Sequence, residues 1–561
     1  MKKGKNKKVN SQYPIPLVAI EYNAVFKEDK REIKDFLNDI PTIVLLKFVL
    51  ERQNNIHFTM NASEPQYKLI SELMNSLDKC HRSKLRKLMT SHPGNLILFN
   101  SDATLNICYE SLRHYKSIEE YEDIDLNPTL EELENIYKCY LKCNENWTDN
   151  MKIYPSPIDT IMMVDVPNIE FKFHKDFYSS VYKGTQFFKF FENNDKFRGY
   201  LESFLKEYNI KDWLEYISLW VGLFQSVLQS PFVKIEDERA LNLISKFFLN
   251  IEEIGTKGKW DSIESIKYLR DRFIVPLGKN YFIFLSPDFI VDKIYQSLKF
   301  MMFDVIVNNH LKHPDTKKEY KDFAEFTAVL GSYFSEEHLL GNLLENTLKE
   351  KSDVFLSKES FKNVDIIGET DFYIRSGKNI IMIEYKDVMF NEKIKRSNDI
   401  SQIKEEILKK ICKYEKRSKK GFGQLIENII NLDKGYYNVL DKDSQKAKRI
   451  INIIVTTDPV FSSLGVNAYI IQKGTEIIEN NKMNFGDRFV SIPIIIDIDT
   501  LIHISNWLYT GKISLIDVLE DYLLNTKSRL IPFKSFVWEK YLKGNIHDMS
   551  DLEFLYGTTY Q

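Results

Sequence analysis

The chain has 561 residues, more than one hydrophobic core usually serves, so about two to four domains are expected. With 43% hydrophobic and 13% aromatic residues it can bury a large core. Its formal net charge of −3 excludes a globally basic protein, so any contact with nucleic acid must come from a local patch. Five cysteines, Cys80, Cys108, Cys139, Cys143 and Cys412, are too few and too irregular for a disulfide framework and point to a reducing, cytoplasmic setting.

The amino-terminal residues 1–12 are basic and polar, with no apolar segment behind them, and read as a flexible arm rather than a secretion signal. Segments 33–52, 65–91, 129–143, 196–229 and 239–254 carry apolar residues at spacings of three and four, so residues 1–315 are expected to be mostly helical. Between them, residues 117–134 hold eight Asp or Glu and no Lys or Arg, a stretch that would repel a nearby phosphate backbone. The most hydrophobic window, 212–232, contains Asp212, Glu215, Gln225 and Gln229 and is broken by Pro231. It falls short of a membrane span and predicts a buried helix. Cys139 and Cys143 lack a second ligand pair, and His310 and His313 lack matching cysteines, so zinc is not expected. The segment Gly255–Trp260 is no phosphate-binding loop, and any ATP-driven step would need a partner.

Near residue 315, Pro314 and a polar, charged cluster break the pattern. Helices then alternate with short β-branched runs at 363–367, 370–374, 379–385, 449–457 and 489–499, an α/β signature for residues 316–561. The runs near 451 and 492 are almost continuously apolar, as strands covered on both faces are. The run near 380 carries charge only at its carboxyl end.

That end holds the chemistry. Ser376 and Gly377 suit a tight turn, and a hairpin folded there sets Asp371 opposite residue 382 or 383, beside Glu384. Side chains alternate along a strand, so Glu384 and Lys386 share one face while Ile381, Ile383 and Tyr385 take the other. Two converging carboxylates repel unless a cation lies between them, and hard oxygen ligands suit Mg²⁺ or Mn²⁺ held with several waters. A lysine beside such an ion can orient water or offset developing negative charge. A plain surface ion pair is the other reading of the same residues, contributing at most about 1 kcal/mol.

Asp371, twelve intervening residues and then Glu384-Tyr385-Lys386 at the end of an apolar strand resemble the PD-(D/E)xK nuclease superfamily of restriction endonucleases and resolvases. Thr370 stands where the superfamily often has proline. The resemblance implies a restriction-endonuclease-like domain with a central mixed sheet flanked by helices. In it Asp371 and Glu384 would bind Mg²⁺ or Mn²⁺ and Lys386 would be catalytic. It further implies a glutamine on a later helix, matched by Gln424, and a glutamate on the helix before the core strands. Glu337 is taken for that role among Glu336, Glu337 and Glu345.

Between residues 386 and 420 twelve Lys or Arg face six Asp or Glu, a local excess able to neutralise phosphates. The function expected is therefore metal-dependent hydrolysis of nucleic acid, with double-stranded DNA the substrate and defence against phage or mobile elements the setting. The helical region would bind a protein partner or a second copy and restrain the nuclease. The alternative is a nuclease fold that has lost activity and serves as a nucleic-acid-binding or scaffold protein.

Overall fold

The computed structural model describes residues 18–27, 30–57, 63–93, 96–116, 126–149, 154–172, 175–361, 370–415, 418–526 and 529–543. The amino-terminal arm, residues 117–125 of the acidic stretch, the strand expected at 363–367 and the Gly368–Glu369 step before Asp371 lie outside them. Among the described residues no helix is long and apolar enough to cross a membrane.

The chain packs as two compact units. The first gathers residues 1–151, 230–232 and 249–275; the second gathers 152–229, 233–248 and 276–561. The first unit is helical, built on Thr42–His57, Ser63–Ser76, Lys79–Ser91, Ser101–Arg113 and Leu130–Asp149. Leu45, Leu46, Val49, Ile107, Leu112 and Tyr140 fill its interior. Helix starts follow capping chemistry: the Asp78 carboxylate accepts the N–H groups of Cys80 and His81, donors that the first turn leaves without a backbone acceptor.

The second unit is α/β. In chain order it contains α1 (Pro157–Asp165), α2 (Phe177–Asn193), α3 (Gln296–Asn308), a π-helix (Gly331–Gly341), β1 (Val354–Ser357) and a short α4 (Lys358–Phe361). Then come β2 (Phe372–Ser376), β3 (Asn379–Lys386), α5 (Ile400–Ile411), α6 (Phe422–Asp433), β4 (Arg449–Thr456), α7 (Val466–Asn480), β5 (Phe489–Val490), β6 (Ile494–Asp497) and α8 (Ile498–Thr510). The sheet is mixed: β1, β2 and β3 pair antiparallel, while β3, β4 and the two short strands beside β4 run parallel. The run read as one strand over 489–499 is two. Pro493 has no N–H to give the ladder, β6 resumes after it, and the helix begins at Ile498.

Alternation along β2 and β3 sends Tyr373, Ile380 and Met382 to the face covered by α5, α6 and α7, where they meet Ile403, Ile407, Leu425, Ile429 and Ile470. Helix α5 ends at Ile411, and Tyr414 sits in a two-residue strand. The helix of the 212–232 window, Trp213–Gln229, buries Tyr216, Ile217, Trp220, Leu223 and Val227 but leaves Leu214 48% exposed, so it is amphipathic rather than buried all round.

Residues 152–229 and 276–315, read from sequence with the helical region, pack with the strands. Met162 and Met163 of α1, and Val166 directly after it, enter the core under the sheet. Ion pairs bind the same stretch across position 315: Lys404 to Asp159 at 2.5 Å, Lys395 to Glu170 at 3.0 Å, Lys183 to Asp499 at 2.5 Å and Lys299 to Asp387 at 3.0 Å. Met162→Ala therefore removes core volume from the α/β unit and is expected to cost about 2–5 kcal/mol in urea unfolding. A loss near zero would mean that α1 only rests on that core.

Candidate active site

The site begins at a turn. The β2–β3 register pairs Ser376 with Asn379, so the two-residue loop is Gly377-Lys378, one residue later than the sequence suggested. Gly377 takes φ +58°, the left-handed backbone that a primed hairpin turn needs at its first central position. The ladder then runs to Phe372 opposite Ile383, which puts Asp371 opposite Glu384.

Beyond Phe372 the side chains, not the backbone, continue the pairing. The Thr370 hydroxyl donates to the Ile383 carbonyl at 2.7 Å, and Asp371 Oδ2 accepts the Tyr385 N–H at 2.7 Å. The residue standing where the resemblance has proline thus anchors the strand, and Asp371 is held against β3 through one oxygen, leaving Oδ1 outside that bond. Glu384 is 1% exposed. Lys386 Nζ donates to its Oε1 at 2.6 Å, while Oε2 is buried with no hydrogen-bond partner among the described residues. The surface ion pair is not what these residues form, because both carboxylates are buried.

Burial and the charge of Glu336 push the Asp371 carboxyl up to about 6. Burial and the charge of Asp371 push Glu384 to about 8, against the pull of Lys386. Burial alone would lower Lys386, yet Glu384 and Asp371 outweigh it and hold its ammonium above the ordinary value.

Of the glutamates on the preceding helix, Glu336 bears on Asp371, Glu384 and Lys386 through its charge, and both it and the expected Glu337 bear on Lys358 in the same cavity. Glu336, Glu337 and Glu345 all line one cavity of about 120 Å³ together with Asp371. A further side chain there, Lys358 at the start of α4, was missed: its Nζ donates to Glu336 Oε2 at 2.9 Å. Nothing in the local sequence marks it, since it comes to the cavity through the β1–β2 pairing. Gln424 lies at the start of α6, where its Oε1 accepts the Gly421 N–H at 2.9 Å, a helix cap. Among the described residues no hydrogen bond joins it to Asp371 or Glu384.

The donor set fits a hard divalent cation: two facing carboxylates, one with an unsatisfied oxygen, and a third charge nearby. Among the described residues no three His, Cys, Asp or Glu stand close enough to hold an ion alone. Mg²⁺ does not require it, being commonly bound by one or two carboxylates, waters and a substrate phosphate. Of the cations between 386 and 420, Lys395, Arg396, Lys404, Lys410, Lys413 and Lys419 are ion-paired. Lys393, Lys409 and Lys420 are the described ones outside ion pairs, so the phosphate-neutralising excess is smaller than the sequence implied. Comparison with family models, curated proteins and solved structures finds no match to this chain.

The raised carboxyls set a pH dependence. In metal-free protein the folded state keeps protons that the unfolded chain releases above about pH 4, so stability should fall as pH rises from about 4 toward 8, by up to about 1.4 kcal/mol per unit for each proton. Glu384→Gln should flatten that slope in urea titrations run with EDTA. Equal slopes for the variant and wild type would show that Glu384 ionises normally.

Proposed function

We propose that the chain is a metal-dependent nuclease of the restriction-endonuclease-like class, acting on double-stranded DNA. One observation carries this reading: Asp371 and Glu384 face each other, buried, across a locked hairpin, with Lys386 bonded to one oxygen of Glu384 and the other oxygen of Glu384 unpartnered among the described residues. The mixed sheet with helices against it is compatible with that fold class.

In this reading Asp371 and Glu384 would hold Mg²⁺ or Mn²⁺. When bound, the ion would supply Lewis-acid stabilisation of the scissile phosphate and its leaving oxygen. The chain's own residues do the rest. The Tyr385 N–H and the Thr370 hydroxyl keep Asp371 aimed at Glu384 without rearrangement. Lys386, at the strand end on the same face, holds its proton at neutral pH and can orient the attacking water or offset charge on the pentavalent phosphorus. Glu336 adds a negative charge that favours a cation at the pair. Lys393, Lys409 and Lys420, exposed and outside ion pairs, would meet phosphates. A defence role, with the first unit as the element that senses a partner or an invader, extends the same proposal.

The test is incubation of purified protein with linear duplex DNA, single strands and RNA, with Mg²⁺, Mn²⁺ or EDTA. Cleavage should need the metal, and Lys386→Ala should lower turnover by roughly a hundredfold or more while DNA binding persists. A Lys386→Ala protein that cuts at the wild-type rate would sink the assignment. No cleavage of any substrate with either metal would leave the inactive, nucleic-acid-binding reading.

A further inference from the structure

The residue after the catalytic lysine is not absorbed by that mechanism. Asp387 carries a side chain only 10% exposed and receives three donors from three separate parts of the fold. Lys299 of α3 donates at 3.0 Å and Ser335 of the π-helix at 2.5 Å, both to Oδ2; Thr457, just past β4, donates at 2.7 Å to Oδ1. Ser335 is wholly buried and directly precedes Glu336 in the chain. Asp387 itself follows Lys386 and lies three residues beyond Glu384. One carboxylate therefore ties the strand end bearing Glu384 and Lys386 to the backbone that presents Glu336. That backbone is a π-helix, whose wide i→i+5 turns are rare and concentrate at functional sites because they re-aim side chains.

We infer that Asp387 is a positioning residue: through Ser335 it sets the register of the π-helix so that Glu336 faces the Asp371–Glu384 pair. The inference rests on the metal-site reading above. It also assigns unlike roles to two hydroxyls on the same carboxylate. Ser335 carries the link to the cavity, whereas Thr457 only braces Asp387 from the sheet side. Lys299 supplies the opposite charge that lets the carboxylate stay ionised while buried, so its loss would endanger folding and say little about positioning.

The test compares the two hydroxyl deletions, Ser335→Ala and Thr457→Val, by Mn²⁺ binding to the full chain in isothermal titration, with thermal melts to check that both remain folded. Each loses one hydrogen bond to Asp387, so their metal-free stabilities should fall alike. Mn²⁺ affinity should drop about tenfold or more in Ser335→Ala, as loss of an outer hydrogen bond that orients a metal site does, and stay within about twofold of wild type in Thr457→Val. Equal affinities in the two variants, whether both reduced or both unchanged, would overturn the positioning role and leave the metal site standing. A wild-type chain that binds no Mn²⁺ would overturn the site reading and this inference together.

Discussion

The arrangement of the α/β unit turns on the register of one hairpin. A slip of a single residue in β2 against β3 would send Asp371 to the opposite face from Glu384, because strand side chains alternate with a period of two. Three features pin that register. Gly377 supplies the left-handed turn residue, the Thr370 hydroxyl takes the Ile383 carbonyl, and the Asp371 carboxylate takes the Tyr385 N–H. The last bond makes the site part of the sheet, since a charged group serves as the final rung of the ladder. Its position is fixed before any ligand arrives.

Fixing two carboxylates in a buried corner is costly, and the fold does not relieve the cost by moving them apart. It leaves Glu384 with one lysine bond and one unsatisfied oxygen, adds Glu336 nearby, and holds both acids above their ordinary proton affinities. Structural ion pairs elsewhere in the unit behave differently. Asp441 Oδ2 accepts from both the Tyr373 hydroxyl and the Arg375 guanidinium at 2.7 Å, so its charge is met by a cation and a second donor. The contrast separates a pair built for stability from one whose charge balance is left open, which is where perturbed proton affinities gather in functional sites.

Much of this was legible in the sequence. Apolar runs marked β2, β3, β4 and the stretch of β5 and β6, though not β1, and the charges just before β2 and at the end of β3 marked Asp371, Glu384 and Lys386. What failed to read did so for physical reasons. Glu336 and Glu337 are not separable by α-helical spacing, because i→i+5 bonding changes the angle between successive side chains, so adjacent glutamates cannot be assigned to a face by that rule. Gln424 has the residue type for a polar site, and the structure adds that its Oε1 caps α6 through the Gly421 N–H. Lys358, Lys299 and Met162 reach their neighbours across long sequence separations, and a single sequence carries no signal for such contacts. The charge count over 386–420 misled in the same way, because its partners Asp159, Glu170 and Glu427 lie outside the window.

The first unit is assembled from three separate stretches of chain, and the polypeptide passes between the two units at five points along its length. No single backbone cut can therefore release either unit with its core complete. A protease that nicks one connecting segment leaves fragments that still need each other to bury their apolar surface. During synthesis the first unit has all its pieces by residue 275, when none of β1 to β6 has yet been made. Strand pairing, and with it the meeting of Asp371 and Glu384, must wait until the chain has passed residue 386, well after the last piece of the first unit has been made.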